Sequence, residues 1–287
     1  MAKKEKFDIY QHVTNRIITS LEEGVVPWRK PWGGVGGFYK SLSSGNPYRG
    51  INQILLAVAG DDGYTSPWWG TYQEIARREG QVRKGEKSTQ IVFWGKAKSK
   101  EVNPKTGNKD EYFLMRYFNV FNAEQAEGLV LPVDETEEVH HDPIETAEAI
   151  AEGYPSPPSK RVGGDRACYS PSSDTITVPD HSAFDVNEEY YSTLFHELAH
   201  STGHETRLKR EGITDFDAFG SHQYSKEELV AEIGAAFLCA HAGIEQETLD
   251  NSTSYINSWL SRLKNDKRMV VQAAQQAQKA ADHILDA

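Results

Sequence analysis

Residues 196–200 read His-Glu-Leu-Ala-His, a pattern that can hold a divalent metal ion and use it. On a helix, His196 and His200 share one face because they are four residues apart, so both imidazoles can bind one ion. Glu197 lies one step around the helix, where its carboxylate can take a proton from metal-activated water. The pattern predicts two metal ligands and a general base. The plain alternative is a surface helix with two unrelated histidines.

A catalytic zinc site needs a third protein ligand and one open position. The residue six positions after His200, a histidine in one group of such sites, is Thr206 in this chain. The next strongly periodic helix instead carries Glu228 and Glu232, four residues apart on one face. We expect Glu228 to bind the metal and Glu232 to hydrogen-bond a ligand histidine. The alternative is that both glutamates belong to a solvated acidic face.

Imidazole and carboxylate ligands favour zinc, so the expected cofactor is Zn²⁺, with Mn²⁺ or another divalent ion as the alternative. Zinc polarises a peptide carbonyl and lowers the pKa of bound water to about 7. Tyr224 and His222 are candidates for stabilising the oxyanion that forms during attack. Residues 175–178 are a candidate edge strand that holds a substrate in extended form.

The first 128 residues differ in charge and aromatic content from the remainder. They contain 19 Lys and Arg against 14 Asp and Glu, whereas the remainder contains 12 against 28, and five of the six tryptophans lie in this first region. Proteins that bind single-stranded nucleic acid pair basic side chains with rings on which bases stack, so we expect salt-dependent binding without sequence preference. The alternative for each tryptophan is a buried core position. The candidate contacts are Trp28, Arg29, Lys30, Trp32, Arg49, Trp68, Trp69, Arg83, Lys84 and Lys87.

The elements that must position these side chains can be read from hydrophobic periodicity and turn residues. Ser225 and Glu228 have the spacing of a capping box at the start of a helix. The periodicity predicts helices at 6–23, 50–59, 71–79, 143–152, 188–202 and 225–242, and one or two helices within 255–285. It predicts strands at 89–93 and 112–121 joined by a polar loop at 96–110, and a hairpin at 166–178.

The predicted class is α+β with two domains. A mixed α+β domain covers residues 1–128, an acidic linker covers 129–146, and a mainly helical domain with a small β hairpin covers 147–287. No stretch approaches the roughly 18 apolar residues of a membrane helix, and the N-terminus lacks an apolar signal core. Cys168 and Cys239 are too few for a disulfide framework. We therefore expect a cytoplasmic protein without a membrane partner.

Several sequence blocks together carry a family resemblance. In the second half they are 193–204 (TLFHELAHSTGH) and 227–233 (EELVAEI). In the first half they are 21–32 (LEEGVVPWRKPW), 48–52 (YRGIN), 69–72 (WGTY), 82–87 (VRKGEK) and 118–122 (FNVFN). With these blocks the chain resembles the ArdC-type antirestriction proteins of conjugative plasmids, whose N-terminal domain also occurs in TraC-type plasmid primases.

The resemblance implies an N-terminal domain that binds single-stranded DNA, a C-terminal zincin-like metallopeptidase domain, and a role in protecting incoming plasmid DNA from host restriction. In similar zincins, an acidic or amide residue follows the ligand glutamate by four positions, a spacing that Glu228 and Glu232 match. Host restriction enzymes or other DNA-bound proteins are the candidate protein partners. Two other functions stay open: a single-stranded DNA-binding protein whose metal site is only structural, and a protease directed to proteins on DNA.

Overall fold

Helices and strands both contribute to the architecture, which confirms the predicted α+β class with two domains. The structure is a computed structural model of the 287-residue chain. None of the helices in the part of the chain that it describes combines the length and apolarity that a bilayer crossing requires. The described residues are 8–29, 37–60, 63–103, 105–132, 142–214, 222–244 and 253–287.

Three helices of the first region occupy the predicted places. They are α1 (Ile9–Glu22), α2 (Ile51–Gly60) and α3 (Tyr72–Arg77). Capping side chains set where two of them begin. The carboxylate of Asp8 accepts a hydrogen bond from the Gln11 backbone N–H at the start of α1. Thr71 and Glu74 form a capping box at the start of α3.

A four-stranded sheet and a two-stranded sheet complete the first region. Their strands are β1 (Lys40–Ser41), β2 (Trp68–Gly70), β3 (Gln81–Val82), β4 (Thr89–Val102), β5 (Lys109–Asn122) and β6 (Ala126–Glu127). The larger sheet has the order β1-β2-β5-β4, and β3 pairs with β6. The predicted polar loop at 96–110 is wrong, because β4 and β5 continue as an antiparallel hairpin as far as the pair Val102 and Lys109. The strand ends are solvated on both faces, so no alternation of apolar residues marks them.

The second region consists of helices and a small three-stranded sheet. Its helices are α4 (Pro143–Gly153), α5 (Asn187–Ser201), α6 (Glu211–Thr214), α7 (His222–Ala242), α8 (Thr253–Asn265) and α9 (Met269–Leu285), and its strands are β7 (Ser159–Val162), β8 (Cys168–Ser170) and β9 (Thr175–Val178). Both strongly periodic helices of the prediction are confirmed as α5 and α7. The predicted N-cap at Ser225 is wrong, because α7 begins at His222 and Ser225 is buried within it.

The small sheet has the order β7-β9-β8, with β9 in the centre. β9 pairs in parallel with β7 and antiparallel with β8. The prediction of residues 175–178 as an edge strand is therefore wrong, since both edges of that strand are already hydrogen-bonded. β8 is an edge strand of this sheet and also contacts α5.

Buried hydrophobic side chains of both regions form one continuous cluster. Within it, α1 and α2 of the first region lie against α8 and α9 of the second. Polar contacts cross the same boundary: the Thr14 hydroxyl donates to the Lys267 carbonyl, and the Gly50 N–H donates to the Gln278 side chain. Helices α5 and α7 pack side by side and fix the side chains predicted to bind metal. Residues 133–141 of the predicted linker lie outside the described residues.

Candidate functional site

Helices α5 and α7 bring the three predicted metal ligands together. The Nε2 atoms of His196 and His200 are 3.1 Å apart. Carboxylate oxygens of Glu228 lie 3.8 Å from His196 Nε2 and 3.5 Å from His200 Nε2. One ligand atom from each residue lies within 4.8 Å of the others. Tetrahedral bonds of about 2.1 Å separate ligand atoms by about 3.4 Å, so this donor set can hold a divalent metal ion.

Glu227, a residue that sequence reasoning missed, supports a histidine that is predicted to bind metal. Its Oε1 lies 3.3 Å from Nδ1 of His200, and both side chains are buried. Arg210 is buried beside them and donates through Nε to Glu227 Oε2 at 2.9 Å. The prediction gave this supporting role to Glu232 from family spacing. The Glu-Glu pair at 227–228 was visible, but no sequence spacing shows which of its members faces the helix that carries the histidines.

Glu232 lies one turn beyond Glu228 on α7, and its contacts are with Trp28 and Arg29 of the first region and with Tyr255 of α8. Its carboxylate accepts hydrogen bonds from Trp28 Nε1 and Arg29 Nη2, each at 3.3 Å, and from the Tyr255 hydroxyl at 2.5 Å. The Arg29 guanidinium also lies 3.9 Å from the centre of the Tyr255 ring. Glu232 therefore attaches a segment of the first region to the helix that carries Glu228, instead of supporting a ligand histidine.

Glu197 lies beside the metal cluster and next to strand β8. Burial raises the pKa of its carboxyl, while the nearby His200 and a backbone hydrogen bond from Tyr169 partly oppose that shift. The carboxylate therefore lies close to the backbone of the edge strand at Tyr169. A carboxyl whose pKa is raised is suited to accept and return a proton during catalysis.

The two histidines of the cluster are shifted in opposite directions. Burial lowers the pKa of His196 well below its usual value, and positive charge at His200 and Arg29 adds to this. Burial acts in the same sense on His200, but its hydrogen bond to Glu227 and the Glu227 charge outweigh burial and raise its pKa. Burial also opposes ionisation of Glu227, but Arg210 overcomes it and lowers that pKa. A neutral His196 is the form that binds metal.

Tyr224 is the oxyanion candidate that the structure brings to the cluster. Burial, together with the charge of Glu228 and a hydrogen bond to it, raises the pKa of Tyr224 to about 12. The hydroxyl therefore stays protonated at neutral pH and can donate. His222 instead lies 3.1 Å from Asp266, and its exposed ring belongs to a surface pair.

Three of the tryptophans predicted to contact DNA are core residues. Trp28, Trp68 and Trp69 are 0%, 6% and 0% exposed, which leaves no ring face for a base. The Trp28 ring packs edge-on against Trp259 of the second region. The prediction of these three as stacking residues is wrong, because burying a large ring stabilises the core and composition does not show which tryptophans are buried.

The predicted basic contacts are mostly at the surface, with one exception. Arg29 is the exception, since its side chain is only 12% exposed. Arg49 and Arg83 are exposed but each forms an ion pair with an acidic side chain. Lys30 and Trp32 lie outside the described residues. The exposed basic candidates are Arg49, Arg83, Lys84 and Lys87.

An exposed groove with aromatic walls lies where β4 and β5 meet α3 and the loop before α2. Phe93 and Phe118 are 58% and 44% exposed, and their ring centroids are 6.1 Å apart in an edge-to-face pair. Tyr72, at the start of α3, is 48% exposed. The groove encloses about 1040 Å³. We call this surface the aromatic groove and define it by the lining residues Tyr48, Arg49, Tyr72, Arg77, Phe93 and Phe118.

The pairing of β4 with β5 explains why sequence reasoning missed this groove. Arg116 is the cross-strand partner of Phe93, and Phe118 is the partner of Ile91. Cross-strand partners lie on one face, so this face of the hairpin carries aromatic and basic side chains together. The register depends on how β4 and β5 pair, which charge and composition do not reveal.

Two family models match the chain in succession. The model described as the N-terminal domain of anti-restriction factor ArdC matches residues 7–121. The model described as a zincin-like metallopeptidase matches residues 147–276, which include the metal cluster and Glu197. Together the two models cover both regions and leave the predicted linker between them.

Known proteins match over nearly the whole chain. The uncharacterized protein y4eC of Sinorhizobium fredii is 33% identical over 96% of this chain and 91% of its own length. A DNA primase TraC of Escherichia coli is 36% identical over 99% of this chain, but the match spans only 28% of the primase. Two crystal structures of the antirestriction protein ArdC from the R388 plasmid, metal-free and Mn(II)-bound, are 37% identical and cover 98% of this chain, with TM-scores of 0.79 and 0.76. The match spans 97% and 98% of those two chains.

Proposed function

The chain belongs to the family of ArdC-type antirestriction proteins, and from this membership we propose that it protects incoming plasmid DNA from host restriction in the cytoplasm. The first region binds single-stranded DNA without sequence preference, and the second hydrolyses peptide bonds at a divalent metal. One observation carries the hydrolytic part: ligand atoms of His196, His200 and Glu228 lie within 4.8 Å of one another, beside the carboxylate of Glu197.

Zinc is the proposed metal, with Mn²⁺ or another divalent ion as the alternative. Two imidazole nitrogens and one carboxylate oxygen are a common ligand set of catalytic zinc, and they leave a position open for water or substrate. The similar R388 plasmid protein has a Mn(II)-bound structure, which supports a divalent ion as the cofactor of this chain. Once bound, such an ion polarises a substrate carbonyl and makes a water molecule more acidic.

The side chains around the cluster supply the remaining chemistry. Glu197 is the proposed general base, and it returns the proton to the leaving amine, for which its raised pKa is suited. Tyr224 stays protonated because its pKa is about 12, and it donates to the oxyanion. Glu227 accepts from Nδ1 of His200 and so keeps Nε2 unprotonated and turned toward the ligand cluster.

The free edge of β8 is the proposed docking edge for the peptide substrate. Within the described residues, β8 pairs with β9 along one side and has no strand on the other. The backbone N–H of Tyr169 in β8 bonds Glu197, so the edge runs past the general base. An extended peptide that adds to this edge would present its backbone to the site in a fixed register.

The aromatic groove is the proposed site for single-stranded DNA. Exposed rings of Tyr72, Phe93 and Phe118 offer surfaces on which successive bases can stack, and Arg49 and Arg77 can bind phosphates. Lys84 and Lys87, exposed on the loop between β3 and β4, add positive charge in this first region. Stacking and phosphate contacts do not read base identity, which agrees with binding that lacks sequence preference.

A restriction-protection assay in cells tests the whole proposal. It compares the unaltered protein with Glu197→Gln and with the double variant Phe93→Ala, Phe118→Ala, each checked for its fold by circular dichroism. We expect both to lose protection, and Glu145→Gln, an exposed change on α4, to retain it. Protection that survives Glu197→Gln would remove hydrolysis from the mechanism and leave a DNA-binding protein with a structural metal site.

A protease directed to proteins on DNA, such as host restriction enzymes, is the second candidate function. The contacts of Trp28 and Arg29 with Glu232 favour it, because they join the DNA-binding region to the helix of the metal ligand Glu228. We expect added single strands to stimulate cleavage of a DNA-bound restriction enzyme. Equal cleavage with and without DNA would contradict this candidate.

A further inference from the structure

A separate cavity of about 370 Å³ lies between α4, the small sheet and the start of α5. Its α5 wall is formed by Tyr190, Tyr191, Leu194 and Leu198, which follow one face of the helix. His196 and the rest of the metal cluster lie on a different face of α5. The cavity is therefore distinct from the proposed hydrolytic site, and its volume lies at the small end of the range for small-molecule sites, about 300–1,000 Å³.

Two tyrosines line this cavity, and among the described residues no group hydrogen-bonds to their hydroxyls. Tyr190 and Tyr191 are 9% and 7% exposed, yet within the described ranges neither hydroxyl forms a hydrogen bond. Neither hydroxyl is among the described buried polar atoms that lack a partner, so both are accessible to solvent within the cavity. Because both residues line the cavity, their hydroxyls are available to a ligand there. The His181 ring lies 4.3 Å from Tyr190 and 6.1 Å from Tyr191, centroid to centroid, and completes an aromatic wall.

The charges around these hydroxyls favour a positively charged ligand. Glu148 and Glu152 line the α4 wall, and neither forms an ion pair with a described residue. Burial is the main cause that raises the pKa of both tyrosines. The charges of Asp180 and Glu148 raise the pKa of Tyr190 further, and those of Glu148 and Glu152 raise the pKa of Tyr191. Lys160 lines the β7 wall, but it is not among the charges that shift the tyrosines. The lining residues thus include two carboxylates and one lysine, which leaves a net negative charge at the cavity.

We propose that this cavity binds an ammonium or guanidinium group carried on a short apolar stem. The carboxylates of Glu148 and Glu152 pair with the charge, and the two tyrosine hydroxyls accept its hydrogen bonds. The aromatic wall adds cation–π attraction, and Leu194 and Leu198 pack against the stem. A lysine or arginine side chain of a protein and a free diamine share this chemistry.

Calorimetric titration with two amines tests the proposal and separates these sources. The probes are agmatine, a free guanidinium-amine, and N-acetyl-lysine methylamide, a mimic of a protein side chain. Binding of the lysine mimic identifies a protein ligand, and binding of agmatine alone identifies a free amine. We expect the double variant Glu148→Gln, Glu152→Gln to bind at least about tenfold more weakly than the control Glu145→Gln, Glu211→Gln. The control loses the same charge at exposed positions outside the cavity.

Two further variants keep the test decisive. Tyr191→Phe removes one hydroxyl and little volume, and we expect it to weaken binding several-fold. Glu197→Gln is expected to leave amine binding unchanged, so failure here is distinguishable from failure of the proposed hydrolysis. The proposal is overturned if neither amine binds at millimolar concentration, if the acidic double variant binds like its control, or if inorganic phosphate binds in place of the amines. Thermal melts of each variant show whether it is folded.

Discussion

The metal cluster and the aromatic groove differ in how their side chains are held. The side chains of the metal cluster lie on two helices that pack together. Buried contacts hold them in place, such as those of Glu227 with His200 and Arg210. The groove collects exposed rings from a helix, two strands and a loop. Groups that act as a unit give non-additive losses when changed, whereas separate contacts give additive ones. Single substitutions should therefore be severe in the cluster and moderate in the groove.

Glu197→Gln is the strongest test of the cluster. We expect peptide hydrolysis to fall by about 10²–10⁴-fold, because the amide cannot act as general base. Bound metal should stay unchanged, since Glu197 lies outside the ligand set. Cleavage of unfolded casein and elemental analysis of the purified protein measure the two quantities. Loss of metal together with activity would instead make Glu197 a ligand.

Glu227→Gln tests whether Glu227, which contacts His200, contributes more to zinc affinity than Glu232, which the sequence spacing favoured. We expect affinity for zinc to fall about 10–100-fold, because the amide holds the His200 tautomer less firmly. Competition with a chelator at neutral pH measures this. Glu232→Gln is the matched control and should leave zinc affinity nearly unchanged, since its contacts are with Trp28, Arg29 and Tyr255. A larger loss of zinc affinity in Glu232→Gln than in Glu227→Gln would support the role that sequence spacing predicted for Glu232.

The difference between the two regions also explains what the sequence could predict. The helix period brings His196 and His200 to one face, so two of the three ligand residues follow from spacing within α5. The choice between Glu227 and Glu232 needs the rotation of α7 against α5, which is a tertiary quantity. Spacing within one helix thus predicts that the two histidines lie together, whereas the position of each glutamate depends on how two helices pack.

Composition predicted that the first region is rich in aromatic and basic residues. It did not predict which of these side chains are exposed. Trp28, Trp68 and Trp69 contribute to the high aromatic content but are buried. Phe93 and Phe118 are exposed where β4 pairs with β5. Exposure depends on which elements cover a ring, and no local spacing encodes that. Periodicity alone was enough to predict the α+β class and most helices. The order of the strands could not be predicted in this way, because it depends on contacts between distant parts of the chain.

Phe93→Ala and Phe118→Ala test the groove against the predicted tryptophans. Each should weaken binding of a labelled oligo-dT strand by about tenfold, because base stacking contributes roughly 1–3 kcal/mol per ring. Fluorescence anisotropy measures the affinity, and because the two rings are in edge-to-face contact, the loss in the double variant should differ from the sum of the single losses. Trp69→Phe is the contrasting change: it should lower the melting temperature and leave affinity nearly unaltered. If the Trp69→Phe protein is folded but binds DNA much more weakly, Trp69 contributes to DNA binding as the sequence predicted.

The smallest expected effect concerns Lys84 and Lys87, whose part in binding rests on charge alone. Each phosphate contact with a single strand contributes about 0.7 to the slope of log affinity against log salt. Removing both lysines should lower that slope by up to about twice this amount and change affinity little at high salt. Lys279→Ala, at an exposed position of α9, controls for the general change in charge. An unchanged slope would mean that both lysines are simply solvated and that DNA contacts are confined to the aromatic groove.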